Sequence, residues 1–377
     1  MNGGNLLRLA TVFSGIGAIE QAFLRLNLQH EVMFACDNGD IEIDVDYDEE
    51  LKKIKKMPSV KEKKEYAEML YLTKSRRTNF VKQAYEANYR IKDDNFFYDV
   101  KLLDGSDFKN RVDLFVGGSP CQSFSIIGSR GGFEDARGTL FYEFARLVRE
   151  IQPKVFIYEN VYGVLTHDKG NTWKVMQNIF NKLGYHYKWK ILDAKDYGIP
   201  QGRRRIYVVG FKEKKHCDSF DFPAPIKLTY TLQDFLMENL KEGNLVSDQN
   251  GKLVITKKEG QAPDEKSFLS EKLKKYVLSP GTKNFYHADA KTDLKIARAL
   301  LSTQGNTHRA SVNNYVTTNG RLRALTPRET YRLMGFPDTY KIVVSKAQAL
   351  KQSGNSIVVD VLVHIVKKIQ ETGVWSE

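Results

Sequence analysis

Cys121 follows the run Val-Gly-Gly-Ser-Pro, a setting in which residue types and spacing favour chemistry over packing. The apolar segment Val112–Val116 is typical of a buried strand, and two glycines followed by Pro120 predict a turn at the strand's exposed end. A cysteine held there as a thiolate is a nucleophile. Most lone cysteines are inert core residues, which is our interpretation of Cys36 and Cys217. Cys121 is therefore the predicted reactive thiol.

A carboxyl group and a glycine-rich segment accompany this cysteine. Glu159 follows the predicted strand Lys154–Tyr158. In isolation it is more typical of an exposed loop acid, but neighbouring parallel strands would bring it close to Cys121. The segment Ser125–Phe133 is rich in glycine and bounded by polar residues, so we interpret it as a mobile lid that closes over a substrate.

A basic triplet enters the predicted strand Ile206–Phe211 in the run Gln-Gly-Arg-Arg-Arg. Such a triplet is usually a solvated face of the protein. In an extended segment, however, alternate residues share one side. Arg203 and Arg205 can therefore point into the same cleft, and we interpret them as candidate site residues.

The first strand-to-helix turn carries Gly15 and Gly17. Glycines let the backbone turn tightly and expose amide donors at a helix N-terminus, which suits a nucleotide-like ligand. A plain tight turn is an equally good interpretation, because the three-glycine fingerprint is incomplete. Asp37, at the tip of the next strand, stands where a ribose hydroxyl pair is usually held. Asp99, at a third strand end, can accept a hydrogen bond from an adenine amino group.

Short apolar runs alternate with helix-period segments over the first half of the chain. This alternation predicts an α/β fold with a doubly wound, mostly parallel sheet, whose ligands lie beyond the carboxyl ends of the strands. The predicted strands are Leu9–Phe13, Glu31–Cys36, Val112–Val116, Lys154–Tyr158, His186–Leu192 and Ile206–Phe211, and the predicted helices are Ile16–Leu26, Thr139–Glu150 and Thr172–Leu183.

Two stretches interrupt this alternation. Residues 40–80 are first acidic and then lysine-rich, and we interpret them as an inserted, partly helical excursion with a solvated charged surface. Residues 212–319 are polar and lack clean alternation, which is typical of a separate small domain. Beyond them, Pro327 is predicted to begin a helix that ends by Gly335, and Ser356–Lys368 is predicted to be a last amphipathic helix.

The composition sets broad limits on the function. At 377 residues the chain is long enough for two domains, and its formal net charge of +12 fits a polyanionic partner without naming it. Its three cysteines are too few for a disulfide framework and lack zinc-ligand spacing, so we expect a reducing compartment and no metal site. The sequence has neither a signal-peptide pattern nor a run of about 20 apolar residues, so we expect no membrane span.

Six segments, in their order and spacing, resemble the motif set of the bacterial restriction–modification type DNA (cytosine-5)-methyltransferases. Each motif alone is modest, whereas the Pro-Cys-Gln turn, Glu-Asn-Val and Gln-x-Arg-x-Arg are very specific jointly. The resemblance leaves out residues 40–80 and 212–319. The segments that carry it are Phe13–Glu20, Gly118–Ser123, Glu159–Val161, Gln201–Arg205, Arg323–Asp338 and Gly354–Ile357.

The resemblance implies a reaction on a cytosine removed from the DNA duplex, because C6 cannot be reached within the base stack. Cys121 would add to C6, and Glu159 would hold or protonate N3. Arg205, with Arg203, would bind the base oxygen and orient Glu159 or a backbone phosphate. The resulting enamine would take a methyl group at C5 from S-adenosylmethionine, leaving S-adenosylhomocysteine. Loss of the C5 proton, to water, would then expel Cys121.

The resemblance also implies a cofactor site in which Asp37 holds the ribose and Asp99 meets the adenine. Members of the family more often carry Asn-Glu at the place of Cys36 and Asp37, followed by an aromatic residue that stacks on adenine. In this sequence Asn38 stands at that aromatic position. The cofactor residues implied are Phe13, Gly15, Gly17, Asp37, Asn38, Asp99, Val100, Pro120, Leu140 and Asn355.

The expected organisation is a catalytic domain with an inserted small target-recognition domain. Residues 1–218, including the insertion 40–80, would form the catalytic and cofactor-binding domain, and residues 219–318 the recognition domain. Residues 319–377 would supply a hinge and a C-terminal segment that completes the catalytic domain. We expect the last helix to pack beside the first turn, so that Asn355 closes the cofactor pocket.

By the same resemblance the partner is double-stranded DNA, and we expect a cytoplasmic monomer with neither metal nor membrane. A cognate restriction endonuclease acting on the same site is a further expected partner. Asn, Gln and Arg suit bidentate contacts with base edges, although a polar loop is the plainer interpretation of any one such residue. The DNA-contacting residues implied are Gln122, Ser125, Arg137, Gln201, Gln304 and Arg309.

Three other functions compete with this one. A tRNA cytosine-5 methyltransferase shares the catalytic motifs, but the long polar region 212–319 favours DNA. A degenerate methyltransferase kept as a binding module would lack a nucleophile or an acid, whereas Cys121, Glu159 and Arg205 are all present. A nicotinamide-dependent oxidoreductase would leave Cys121 and the arginine triplet unexplained.

Overall fold

A central sheet of seven strands organises the computed structural model, which describes residues 6–120, 139–239, 244–248, 253–256, 260–279 and 290–376. The sheet has the order β3-β2-β1-β4-β5-β8-β6, in which β8 alone runs antiparallel to its neighbours. Its strands are β1 (Leu7–Val12), β2 (His30–Cys36), β3 (Phe96–Phe97), β4 (Leu114–Gly117), β5 (Val155–Val161), β6 (His186–Asp193) and β8 (Arg204–Phe211). The expected doubly wound, mostly parallel α/β sheet is confirmed.

Smaller β elements lie outside this sheet. The first, β7 (Gln201–Gly202), pairs in parallel with β11 (Ala297–Arg298). Two antiparallel hairpins follow the catalytic half of the chain. They are formed by β9 (Asn244–Ser247) with β10 (Leu253–Thr256), and by β12 (Tyr315–Thr318) with β13 (Arg321–Ala324).

Helices flank the sheet and connect its strands. None of the helices in the described ranges is long and apolar enough to cross a membrane. The α-helices are α1 (Ala18–Arg25), α2 (Tyr47–Lys55), α3 (Val60–Lys74), α4 (Phe80–Glu86), α5 (Leu140–Ile151), α6 (Asn171–Lys182), α7 (Lys214–Ser219), α8 (Glu271–Leu278), α9 (Pro327–Arg332), α10 (Lys346–Asn355) and α11 (Val359–Glu371). Short 3-10 turns lie at Lys92–Asp94, Val100–Leu102, Gly105–Phe108, Tyr162–Leu165, His167–Gly170, Ala194–Tyr197, Leu232–Phe235 and Glu265–Ser267.

The sheet is buried on both faces because successive side chains of a strand point to opposite sides. On β4, Leu114 and Val116 pack into an apolar cluster that contains α1 and α11 residues. The intervening Phe115 packs into a second cluster, with residues of α5 and α6. This three-layer arrangement explains why the strands read as nearly continuous apolar runs in the sequence.

The predicted strands and helices of the catalytic half are present, with shifted ends. Phe13, predicted as the last residue of the first strand, lies outside it, because its φ of 52° places it in the left-handed region where the turn begins. The last helix begins at Val359 rather than Ser356, since Ser356 caps the end of α10 in an extended conformation. Pro327 begins α9 as predicted, and Thr326 and Glu329 form a capping box at its N-terminus.

The insertion 40–80 is helical, as predicted, but it is more than a solvated surface. Ile41, Ile54, Leu70 and Tyr71 are buried in a small apolar cluster with Leu102 of the catalytic half. The region predicted as a separate recognition domain has a mixed character in its described parts. Its β9–β10 hairpin contributes to the main core, whereas α8 and the β12–β13 hairpin share a small cluster of their own. The domain boundaries remain a prediction.

A buried ion pair joins the first and last helices of the sheet's covering layer. Arg25 of α1 donates from both terminal guanidinium nitrogens to the two carboxylate oxygens of Asp360 on α11, each at 2.8 Å. Both side chains are almost completely buried. A bidentate pair in such surroundings is strongly directional and fixes the position of α11 against α1.

We expect Asp360→Asn to lower the free energy of unfolding in urea by about 3 to 5 kcal/mol, because the Arg25 charge would remain buried without its partner. Glu371→Gln is the matched control on the same helix, since Lys368 and Glu371 form an exposed pair at 2.6 Å. The control should change stability by less than about 1 kcal/mol. Equal effects of the two substitutions would contradict a role for the buried pair.

Candidate active site

Three residues of the turn between β1 and α1 have a left-handed backbone conformation. Phe13, Gly15 and Gly17 have φ values of 52°, 53° and 76°. A Cβ on Gly17 would lie 2.2 Å from the Tyr89 ring, so this position requires glycine for space as well as for conformation. The turn carries the backbone away from β1 and leaves the start of α1 facing the carboxyl edge of the sheet.

Asp37 closes this turn from the neighbouring strand. Its two carboxylate oxygens accept hydrogen bonds from the backbone N–H groups of Gly15 and Gly39, each at 2.9 Å. Burial nevertheless raises the pKa of Asp37 to about 6. The sequence-predicted ribose ligand therefore lies next to the glycine turn, as parallel β1 and β2 require.

Glu159 and Arg205 form an ion pair at the same edge of the sheet. They lie near the end of β5 and the start of β8, where the antiparallel register places Val161 opposite Arg205 and Glu159 opposite Tyr207. Arg205 Nε lies 3.2 Å from Glu159 Oε1. Burial raises the pKa of Glu159, while the positive charges of Arg205 and Arg203 oppose this shift. The structure thus brings together two residues predicted to be catalytic.

Arg203 faces a different set of groups. Its terminal nitrogens donate to the carbonyl oxygens of Leu300, Gly354 and Ser356 at 2.7, 2.9 and 2.9 Å. Burial, and then the charge of Arg205, lower the pKa of Arg203 to about 9, so the guanidinium stays charged at neutral pH. In this arrangement Arg203 ties two distant chain segments to β8, and a base contact by its terminal nitrogens would require these bonds to break.

Asn160 supports the turn that leads to Cys121, a role that the sequence did not reveal. Its side-chain amide donates to the Ser119 carbonyl at 3.0 Å and to the Tyr158 hydroxyl at 2.7 Å. The hydroxyls of Ser119 and Tyr158 are themselves hydrogen bonded at 2.7 Å. All three residues are buried, so this network holds β4 and β5 together just before Pro120. Asn160 belongs to the Glu-Asn-Val motif, which could have drawn attention to it, but in the sequence only Glu159 suggested a chemical role.

A cleft connects these elements. It is lined by the glycine turn, the end of β4, Glu159 and the segment between α10 and α11. Asn355 and Leu362 reach it from the C-terminal part of the chain, which places the last helix beside the first turn as predicted. Phe13, Gly15, Glu159 and Asn355 are the sequence-predicted site residues among its lining.

The other residues predicted to bind the cofactor are not part of the lining of this cleft. Asp99 and Val100 are buried where β3 ends, and Pro120 is exposed at the end of the described β4 turn. Leu140 begins α5 and is partly buried. Asn38 forms a local turn, in which its side chain bonds to the backbone of Asp40 and Ile41.

Cys121, Gln122, Ser125 and Arg137 lie outside the described residues, as does the predicted lid Ser125–Phe133. Their roles remain predictions. Among the residues that the structure describes, no group of three or more His, Cys, Asp or Glu side chains is arranged to hold a metal ion. Cys36 and Cys217 are both buried, and burial raises the pKa of each thiol.

Comparison with known proteins assigns this arrangement to a family. The model of the C-5 cytosine-specific DNA methylases matches residues 7–371. The chain belongs to this family. The Type II methyltransferase M.HhaI of Haemophilus parahaemolyticus is 37% identical over 290 residues, which are 77% of this chain and 84% of that protein. M.HpaII of Haemophilus parainfluenzae is 36% identical over 312 residues, covering 77% and 80% of the two chains.

Solved structures share the fold of this methylase. The methyltransferase EhMeth of Entamoeba histolytica superposes with a TM-score of 0.65 at 15% identity, covering 97% of this chain and 98% of the other. The Dnmt2 methyltransferase of S. pombe gives a TM-score of 0.62 at 16% identity, with coverages of 97% and 98%. The family assignment makes the chain a DNA cytosine-5 methyltransferase and favours it over the tRNA alternative.

Three of the residues predicted to contact DNA lie in the described part of the methylase, and each of them makes contacts within the protein. Gln201 is fully buried, donates to the Leu333 carbonyl at 2.8 Å and accepts from the Leu300 amide at 3.0 Å. Gln304 donates to the Leu350 carbonyl at 2.7 Å. Arg309 lies over the Tyr276 ring at 4.1 Å and donates to the Tyr276 carbonyl at 3.1 Å. A base contact by any of them would have to replace these interactions.

We expect Gly118→Ala to reduce kcat by roughly tenfold to a hundredfold, because small misplacements of a catalytic group are costly. A Cβ at residue 118 would lie 3.0 Å from Glu159 Oε2 and 3.1 Å from the Glu159 carbonyl oxygen, and so would displace this acid. Gly163→Ala is the control, since no atom lies within 4 Å of its added Cβ. Steady-state methylation assays should show full activity for the control; full activity for Gly118→Ala would contradict tight packing around Glu159.

Proposed function

We propose that this methylase transfers a methyl group from S-adenosylmethionine to C5 of a cytosine within a specific DNA sequence, with Cys121 as the nucleophile. The observation that carries this proposal is the partly buried Glu159–Arg205 pair. The pair lies at the carboxyl edge of the sheet, where Glu159 is next to Gly118. Gly118 in turn comes shortly before Cys121 in the chain. An acid placed there can act on a base whose ring the thiolate attacks.

Glu159 activates the ring in this proposal. Burial raises the pKa of Glu159, so its carboxyl takes up a proton more readily than an exposed acid does, and in the protonated form it can donate to N3 of cytosine. As the S–C6 bond forms, the C5–C6 π pair moves to C4–C5 and the C4–N3 π pair takes the proton of Glu159. C5 thereby becomes nucleophilic. After methylation the C5 proton leaves to water, the S–C6 pair departs with Cys121, and N3 returns its proton to Glu159.

The two arginines have separate tasks in this scheme. Arg205 orients the Glu159 carboxyl through the contact at 3.2 Å, and we assign to its guanidinium the hydrogen bond to the base oxygen. We assign to Arg203 a positioning role, since it joins β8 to the backbone of Leu300 and Gly354. A cytosine must leave the duplex to meet these groups, at the cost of its stacking and pairing.

The residues beside the glycine turn fit S-adenosylmethionine. The donor set is suitable: a carboxylate, Asp37, stands at the tip of β2 beside the glycine turn, where a ribose is usually held. Phe13, Gly15, Gly17 and Asn355 would surround the methionine part, and Asp99 would meet the adenine. The remaining residues proposed for this pocket are Asn38, Val100, Pro120 and Leu140. When bound, this cofactor supplies an electrophilic methyl group.

The proposed biological role is modification of host DNA in a restriction–modification system. The curated relatives named above are Type II methyltransferases, and this chain covers most of their length. We propose a monomer that acts on double-stranded DNA in the bacterial cytoplasm, with a cognate endonuclease for the same site. The net charge of +12 suits the phosphate backbone, and Gln122, Ser125 and Arg137 are proposed to contact the DNA around the target base.

The decisive experiment is covalent trapping on duplex DNA that contains 5-fluorocytosine, because fluorine at C5 prevents release of the enzyme. We expect a denaturation-resistant adduct that requires Cys121 and S-adenosylmethionine, and none with Cys121→Ser. Sequencing the trapped fragments gives the recognition site. An adduct only with fluorinated tRNA would overturn the DNA assignment, and an adduct that survives Cys121→Ser would overturn the nucleophile.

We expect Glu159→Gln to reduce kcat by about 10²- to 10⁴-fold, because an amide cannot protonate N3. Asp113→Asn is the matched control, an acid-to-amide change in a buried carboxylate paired with Arg8 at 3.0 Å. It lies just before β4, at the opposite edge of the sheet, and should lower stability while kcat is kept. Single-turnover methylation with saturating cofactor separates the two; equal losses of kcat would contradict proton donation by Glu159.

A further inference from the structure

The insertion 40–80 reaches the cofactor side of the sheet through Tyr71. This residue of α3 is 2% exposed, and its hydroxyl donates to Asp99 Oδ2 at 2.6 Å. Asp99 Oδ1 accepts from the backbone N–H of Lys101 at 2.9 Å. Two donors from different elements therefore fix the Asp99 carboxylate, and one of them belongs to the insertion.

Helix α3 is anchored firmly enough to act as a support. Lys63 Nζ lies 2.8 Å from carboxylate oxygens of both Asp104 and Asp107, which follow β3 in the chain. Lys63 and Asp104 are nearly buried. Together with the apolar cluster around Leu70 and Leu102, these ion pairs hold α3 against the segment that carries Asp99.

Asp99 also lies close to the proposed ribose ligand. The strand that precedes it, β3, pairs with β2, and the Asp37 amide donates to the Phe97 carbonyl at 3.1 Å. Asp37 and Asp99 thus stand at the carboxyl ends of adjacent parallel strands. Asp99 is 4% exposed, so any hydrogen bond it accepts forms in surroundings of low dielectric, where a missing donor is costly.

We propose that Tyr71 is a positioning residue that orients Asp99 toward the adenine amino group of the cofactor, which makes the insertion 40–80 an element of cofactor specificity. The proposal rests on the proposed role of Asp99 in the S-adenosylmethionine site. An ionised carboxylate only accepts hydrogen bonds, so it favours the amino group at position 6 of adenine over a carbonyl there. Tyr71 donates to one oxygen and thereby limits rotation of the carboxylate.

Tyr66 provides a matched control on the same helix. Its hydroxyl also donates to a carboxylate, Glu50 Oε2 at 2.7 Å, but Glu50 belongs to the insertion itself. Tyr66→Phe and Tyr71→Phe therefore remove the same kind of bond. A purely structural contribution of α3 would affect both variants in similar ways, whereas the proposal concerns Tyr71 alone.

The test is calorimetric binding of S-adenosylhomocysteine and of S-inosylhomocysteine, which carries a carbonyl at position 6, to the full-length enzyme. We expect Tyr71→Phe to weaken binding of the adenine compound by about tenfold, the loss of one hydrogen bond to a charged group. Binding of the inosine compound should change little, so the preference for adenine falls. Tyr66→Phe should keep both affinities, and KM for DNA should be unchanged in both variants.

The preference ratio keeps the test valid if Tyr71→Phe yields less folded protein, because a ratio of two dissociation constants does not depend on the active fraction. An unchanged ratio for Tyr71→Phe, or an equal change for Tyr66→Phe, would overturn the role of Tyr71. Failure of the wild-type enzyme to bind S-adenosylhomocysteine would overturn the cofactor assignment, and with it this inference. Fluorocytosine trapping by the wild type distinguishes these two failures.

Discussion

The reversed direction of β8 is the constraint on which the site depends. In a fully parallel sheet the residues that begin a strand lie at the edge opposite to the carboxyl ends of its neighbours. Because β8 runs antiparallel between β5 and β6, its first residues reach the edge where β5 ends. Arg205 therefore lies close enough to Glu159 to form the ion pair. If β8 ran parallel to β5, its first residues would lie at the opposite edge, about one strand length away from Glu159.

The same reversal gives Arg203 its task. From its place just before β8, the Arg203 guanidinium reaches the carbonyls of Leu300, Gly354 and Ser356, which belong to the returning C-terminal part of the chain. The Arg25–Asp360 pair fixes the helix that follows. Arg203 and Arg25, both buried, therefore hold a segment that is distant in sequence against the cleft. Asn355 of this segment lines the cleft together with the glycine turn.

Buried acids gather at this edge of the sheet. Burial raises the pKa of Asp37 to about 6 and that of Glu20 to about 7, and it also raises the pKa values of Asp99 and Glu159. Each of them has a partner that opposes this shift, such as Tyr85 for Glu20 and Tyr71 for Asp99. Acids held in this way cost stability, and perturbed pKa values of this kind are typical of functional sites.

The sequence by itself determined the doubly wound sheet and the order of its strands and helices along the chain, and it singled out Cys121, Glu159 and Arg205 as candidates for the chemistry. Alternating apolar runs specify a doubly wound sheet because each buried strand needs covering helices. Glu159 and Arg205 lie within the strands, near the end of β5 and at the start of β8. The sequence did not distinguish Arg203 from Arg205, since both share one side of an extended segment. Only tertiary structure decided that one pairs with Glu159 while the other binds backbone carbonyls about a hundred or more residues away.

Tertiary structure likewise decided which partners the polar side chains bind. Gln201 and Gln304 have side chains suited to base recognition, yet their side-chain amides donate to backbone carbonyls of the protein. Buried carbonyl groups need hydrogen-bond donors, and these carbonyls come close to the two glutamines only when the chain folds. The insertion 40–80 shows the same limit. Its charge pattern indicated a solvated surface, whereas the contact of Tyr71 with Asp99 depends on how α3 docks, and no local pattern in the sequence encodes that distance.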